Sequence, residues 1–236
     1  LLLVNFINHN CNKKEEHMVY CIKDIIKNIN IVIGCDIGCS YCYARINNRR
    51  FHTTDNFNIP VFFESKLKML DNKRYSAYLL TGQSDLSGWK QEWLNKVYEK
   101  MKENQHTQYI FLTKRPDKIK LDFTLDNGWF GVTVTSSKEK EKIDFLRQNI
   151  NAKHYHITFE PLFDDIGELD LTDISWIVIG TETGNRKNKS YTKREWLYNI
   201  YNQAKEKNIP VFMKEDLLGI IEENEFIQEF PVEFGE

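Results

Sequence analysis

The chain has 236 residues, 41% of them hydrophobic and 28% charged, enough apolar material for a sizeable core and too much for a disordered chain. With 32 Lys and Arg against 34 Asp and Glu the net charge is -2, which argues against attachment to nucleic acid by bulk electrostatics and leaves only local basic patches. No window approaches the ~18 uninterrupted apolar residues of a spanning helix, and the apolar start Leu1–Phe6 is too short for a leader; the expectation is a cytoplasmic protein with no membrane partner.

Over residues 15–28, Met18, Cys21, Ile22, Ile25 and Ile26 recur at helical spacing and predict a helix within an N-terminal extension, 1–29. Ile31-Val32-Ile33 predicts a short strand ending at Gly34. Residues 64–71 suit a helix, and Ala77–Leu80 a buried strand. Trp89, Trp93, Val97 and Met101 recur every four residues, predicting an amphipathic helix with Ser87 as its cap. Tyr109–Leu112 reads as a strand, and Pro116 suits the first turn of a short helix. Trp129–Val134 is the next strand. A charged helix follows from about Lys138 to Gln148, and its alternating charges read as an exposed face. His154–Phe159 and Trp176–Ile179 are strands. Thr192–Lys207 is helical, with Trp196, Ile200 and Ala204 on one face, and Val211–Met213 is a last strand.

Short apolar strands separated mostly by helices imply a parallel sheet with crossover connections. A complete eight-unit barrel typically takes ~250 residues. The expected fold class is therefore α/β: a partial, open β/α barrel of about six or seven parallel strands over 30–214, with a tail, 215–236. That tail holds one more possible helix, Glu215–Ile221, then an acidic aromatic stretch through Phe226, Phe230 and Phe234. A tail this short predicts an open barrel mouth.

Five cysteines are an odd number, and three fall within eight residues, which argues against a disulfide framework. The stretch is Gly34-Cys35-Asp36-Ile37-Gly38-Cys39-Ser40-Tyr41-Cys42, with spacing C-x3-C-x2-C, in a loop after a predicted strand. Three thiolates on one loop can hold three irons of a 4Fe-4S cluster, and soft sulfur also suits zinc. Gly34 and Gly38 let the backbone close around a compact inorganic core. A Cys3His zinc site completed by His17 or His52, in a zinc-binding interaction module, is one competing reading; a cluster that serves only electron transfer or sensing is another. Cys11 and Cys21 read as a tail residue and a helix-core residue.

This motif, with aromatic Tyr41 before the last cysteine, resembles the signature of the radical S-adenosylmethionine (radical SAM) superfamily. More narrowly, the chain resembles a short phage- and mobile-element-associated radical-SAM-like family of unassigned function. That resemblance runs from about Asn30 to Lys214. It is carried by Gly34–Arg45, Ser84-Asp85-Leu86, Phe111–Pro116, Trp129–Thr133, Phe159–Leu162, Trp176–Gly184 and Phe212-Met213-Lys214. The resemblance implies Cys35, Cys39 and Cys42 as cluster ligands and an open iron chelated by SAM. An electron then cleaves the sulfonium to a 5′-deoxyadenosyl radical that abstracts hydrogen from substrate. It also implies an electron donor of flavodoxin or ferredoxin type, and it places Tyr41 against the adenine. The glycine-rich stretch next to the SAM amino group is here Thr81-Gly82-Gln83-Ser84-Asp85, which departs from the usual Gly-Gly-Glu.

In parallel barrels the active site lies at the C-terminal ends of the strands. The polar residues there are Ser84, Asp85, Thr113, Lys114, Arg115, Thr133, Thr135, Glu160, Thr181, Glu182 and Lys214. Of these Ser84, Asp85, Thr113, Lys114, Thr133 and Thr135, with Tyr41 and Gly82, make the cofactor-binding set, and Glu160, Glu182 and Lys214 are the catalytic candidates. Gly180-Thr181-Glu182-Thr183-Gly184 lacks the Lys-Ser/Thr ending of a phosphate loop. Two basic clusters, Arg45, Arg49, Arg50 with His52 and Arg186, Lys187 with Lys189, lie near Tyr43 and Phe51 and make a nucleic acid or other macromolecule a candidate substrate.

Overall fold

The computed structural model describes residues 19–235 except 185 and 188. Seven strands form its main sheet: β1 (Ile26–Asn28), β2 (Ala77–Leu79), β3 (Gln108–Thr113), β4 (Gly128–Thr133), β5 (His154–Phe159), β6 (Ile174–Ile179) and β7 (Val211–Met213). Each pairs in parallel with the next in chain order. This sequential order is that of a singly wound barrel, and here the sheet curls into half of one. β4 and β5 are buried along their whole length, as a parallel sheet covered on both faces requires.

Alternation along the strands divides the core. Tyr109, Phe111, Phe130, Ile157 and Ile177 face outward into the larger cluster. There they meet α2 (Gln91–Glu103), α3 (Glu141–Asn149) and α4 (Arg194–Glu206), which follow α1 (Tyr43–Phe51) in the chain. Lys90 gives α2 no side-chain cap. Its position is set by burial of Trp93, Val97 and Met101, each worth about 1.5–3 kcal/mol. The concave face carries Ile26, Ala77, Ile110, Trp129, Trp176, Val178 and Phe212.

The tail starts at the mouth, where Glu215 and Asp216 line its cavity, and then runs to the opposite end. Phe230 and Phe234 pack on Trp129, Trp176 and Phe212, and the Phe234 carbonyl accepts from Ser76 Oγ at the start of β2. These aromatics fill the barrel floor, so the tail does not cover the mouth. Beside the open seam between β1 and β7, the Gln228 amide makes paired hydrogen bonds with the Tyr20 backbone, both 2.8 Å. Among the described residues no helix is long and apolar enough to cross a membrane.

Several local expectations are corrected. Of the helix expected over 15–28, only Ile22–Ile25 is a helical turn, and the next three residues are β1; residues 15–18 lie outside the described part. Ile26 is buried in the barrel while Ile25 is exposed, so the apolar run marks a strand entry. Val32–Ile33 pairs antiparallel with Val61–Phe62 and is not a barrel strand. Ser87 does not cap α2; it lies in the 3-10 turn Leu86–Gly88, capped by Asp85. Leu197, one residue on from Trp196, is the one buried with Ile200 and Ala204. Of the helix expected over Glu215–Ile221 only the 3-10 turn Glu215–Leu217 forms, and two more short turns follow, Glu223–Glu225 and Val232–Phe234.

Candidate functional site

The C-terminal ends of all seven strands surround one cavity of about 570 Å³, a size suited to small-molecule and cofactor binding. Cys35, Cys39, Cys42, Tyr41, Gly82, Ser84, Asp85, Lys114, Thr133, Glu160, Glu182 and Lys214 all line it. Thr113 and Thr135 do not. The Thr113 hydroxyl donates to Asp85 at 2.7 Å, and the Thr135 backbone and hydroxyl both donate to Glu139 at 2.8 Å. These two threonines hold loops in place.

The cysteine loop is anchored from three sides. Gly34, at φ +119°, is bridged to Ser84, and a Cβ there would lie 2.7 Å from the Ile59 carbonyl. Gly38 also has positive φ, +77°, a region that glycine enters without strain. Arg45 of α1 donates to the Cys35 carbonyl at 2.8 Å and to Asn58 at 2.7 Å, with its guanidinium over the Phe57 ring. Asp36 accepts a two-pronged bond from Arg115, whose Nε also donates to Ser87 Oγ at 3.0 Å. This guanidinium holds the Asp36 carboxyl below its usual range.

Cys42 is the N-cap of α1, and its sulfur accepts the Arg45 backbone N–H at 3.4 Å. Burial pushes the Cys35 thiol up to about 11. The described cysteines are all free thiols. Among the described residues no three His, Cys, Asp or Glu side chains converge as the ligands of one metal ion. Cys21 donates to Glu215 at 3.0 Å, while Cys11 and His17 lie outside the described residues.

Around the rim, Asp85 is buried and organises the β2 exit. Its carboxylate accepts from Ser87 N, Ser87 Oγ, Thr113 Oγ1 and Lys114 N at 2.7–3.0 Å. Ser84 Oγ accepts from Trp89 Nε1 at 2.9 Å, and the Gly82 carbonyl accepts from the Tyr43 hydroxyl. The Lys114 ammonium lies 5.4 Å above the Tyr41 ring, and Tyr41 packs edge-on to Phe163. Burial pulls Lys114 below the usual lysine range.

Lys214 pairs with Glu160 and with Asp216, the latter at 3.4 Å. Burial alone would pull its ammonium down, but the two carboxylates outweigh that and hold it charged above its usual range. Glu182 is buried and grips Arg186 with both oxygens at 2.6 Å. That pairing keeps its carboxyl below the usual range despite burial.

Sequence reasoning missed His156. It lines the cavity from within β5, 1% exposed, with Nε2 3.2 Å from the Phe111 carbonyl and Nδ1 without a partner. Burial lowers it to about 4, so the ring is neutral. The signal was period-two alternation, which puts His156, Thr158 and Glu160 on one face. Asp216 and the Asp36–Arg115 clamp were missed too.

Fold and site together define a parallel α/β half-barrel whose mouth is a cysteine-lined cavity. The chain belongs to the family described as "Protein of unknown function (DUF5131)", which matches residues 22–225. No curated protein and no solved structure matches it.

Proposed function

We propose that this cavity is the active site of a radical SAM enzyme, with Cys35, Cys39 and Cys42 holding a 4Fe-4S cluster and SAM bound beside it. The reading is carried by one observation: the three thiols of a C-x3-C-x2-C loop line the same cavity as the C-terminal ends of seven sequentially ordered parallel strands. The donor set fits the cofactor. Cubane ligands bind different irons and need not converge, whereas one zinc ion draws its sulfurs to ~2.3 Å from a single point. Metal and sulfide analysis distinguishes the two. The backbone N–H on Cys42 suits a cluster sulfur, whose potential such bonds tune.

With cluster and SAM bound, the site would supply a one-electron cleavage of the sulfonium and a radical able to take a hydrogen atom from substrate. The protein's part is to position and to exclude water. Lys114, with no carboxylate within 4.0 Å among the described residues, suits the SAM carboxylate. Tyr41 supplies an aromatic face on the same wall. Glu160 with Lys214, and Glu182 with Arg186, are paired charges that hold donors and acceptors in fixed directions. A flavodoxin- or ferredoxin-type protein would deliver the electron. The test is anaerobic: cluster-loaded protein, SAM and dithionite should yield 5′-deoxyadenosine and methionine. A loaded cluster that leaves SAM intact under strong reductant sinks the proposal.

A further inference from the structure

Charge is distributed unevenly over the surface. On the outer helices most cations are matched by carboxylates, among them Lys96 with Glu64, Lys100 with Asp71 and Glu103, and Arg147 with Asp144 and Asp170, while Lys102 and Lys205 are not. At the mouth the pattern reverses. Residues 43–54 and 183–194 contain no Asp or Glu, and both segments start on the cavity wall, at Tyr43 and Thr183. Among the described residues Arg49, Arg50, Lys187 and Lys189 have no carboxylate within 4.0 Å. The nearby acids are already engaged: Glu182 by Arg186, Glu160 by Lys214, Asp36 by Arg115. The two segments that leave the cavity wall are therefore locally positive on a chain of net charge -2.

The same two segments expose aromatic surface. Phe51 is 64% exposed and Tyr191 72%. Each sits against a cation, Arg50 at 5.1 Å and Lys189 at 5.7 Å. Exposed aromatics interleaved with unpaired cations are what a flexible polyanion with stacking bases requires. A double helix would present phosphates but no open base faces, and an acidic peptide has no use for two exposed rings.

We propose that the mouth binds single-stranded nucleic acid, its phosphates on Arg49, Arg50, Lys187 and Lys189 and its bases on Phe51 and Tyr191. This names the substrate class of the site proposed above and rests on that reading for the chemistry, though not for the binding. Four phosphate contacts give log affinity a slope of about -2.8 against log salt for a single strand. Loss of one stacked ring weakens binding by about 5- to 100-fold.

The experiment is fluorescence anisotropy of the full chain with a labelled oligothymidylate of about 12 nucleotides. Competitors are the same length of duplex, polyglutamate and anionic phosphatidylserine vesicles. Arg49→Glu with Arg50→Glu, and Lys187→Glu with Lys189→Glu, should each weaken binding tenfold or more and flatten the salt slope. Phe51→Ala and Tyr191→Ala should weaken it without changing that slope. Lys102→Glu, near the end of α2 away from the mouth, should leave it unchanged. If the double reversals fail to fold, Arg50→Ala and Lys187→Ala carry the same expectation. Equal affinity across all variants, or preferential displacement by duplex, polyglutamate or vesicles, overturns the proposal. The two readings fail separately. Oligonucleotide binding without SAM cleavage sinks the radical chemistry and keeps this site, whereas SAM cleavage with no oligonucleotide binding does the reverse.

Discussion

Gly131→Ala is the most demanding test of the barrel interior. Gly131 lies in β4 beneath the His156 ring, and an added Cβ would sit 2.1 Å from Cε1, 2.2 Å from Nε2 and 2.5 Å from Nδ1. Ordinary carbon contacts are ~3.5–4.0 Å, so the methyl overlaps three ring atoms by more than an ångström. The ring must swing away. That breaks the Nε2 bond to Phe111, a loss of about 1 kcal/mol, and overpacking adds about 1–3 kcal/mol. The reduced entropy of the unfolded chain offsets about 0.4–1 kcal/mol of this. The net is about 1–3.5 kcal/mol, a fall in Tm of about 2–14 °C for a domain this size. Thermal melts of Gly131→Ala, His156→Ala and the double variant read it. The double variant should be about 2 kcal/mol better than the sum of the singles, since the methyl then occupies the space of the lost ring. A Gly131→Ala protein melting within a degree of the parent, or strictly additive singles, refutes the packing described.

His156 is neutral when folded, at about 4, against an ordinary value of 6.5. The unfolded chain then binds the extra proton between those values, so stability falls as pH drops from 6.5 to 4, by about 3 kcal/mol. Denaturant midpoints across that range should slope less steeply in His156→Asn than in the parent; parallel slopes would contradict the burial. Asp36→Asn removes an ion pair whose side chains are 53% and 31% exposed, so stability should change by less than about 1 kcal/mol. If the proposed cluster is loaded, its effect should appear in the loop as faster loss of iron to a chelator with little change in Tm, and equal loss rates in parent and variant would count against the clamp.

The parallel half-barrel was legible in the sequence because its strands are buried on both faces and read as apolar runs between helical patterns. Rim residues such as Lys114, Glu160 and Lys214 were legible because each directly follows a strand. Position alone does not say which way a side chain turns, and Thr113 and Thr135 turn to neighbouring carboxylates. His156 was hidden inside a strand, where a buried histidine reads as core. The Asp36–Arg115 clamp joins residues 79 apart, beyond any local pattern. α1 carries two asparagines and a β-branched isoleucine, weak helix formers, so its sequence gave no helical signal. It starts from the Cys42 cap and is held by packing of Ala44 and by Asn48 bonds to Thr54.

The central claim is that Cys35, Cys39 and Cys42 together hold an iron–sulfur cluster with an open iron. Anaerobic reconstitution followed by iron, sulfide and zinc analysis, with EPR of the reduced protein before and after SAM, tests it most directly. About four irons and four sulfides per chain are expected, with their loss in Cys35→Ala, Cys39→Ala and Cys42→Ala, and an EPR signal that SAM alters. One zinc with no sulfide, or iron retained by the triple alanine variant, would contradict it.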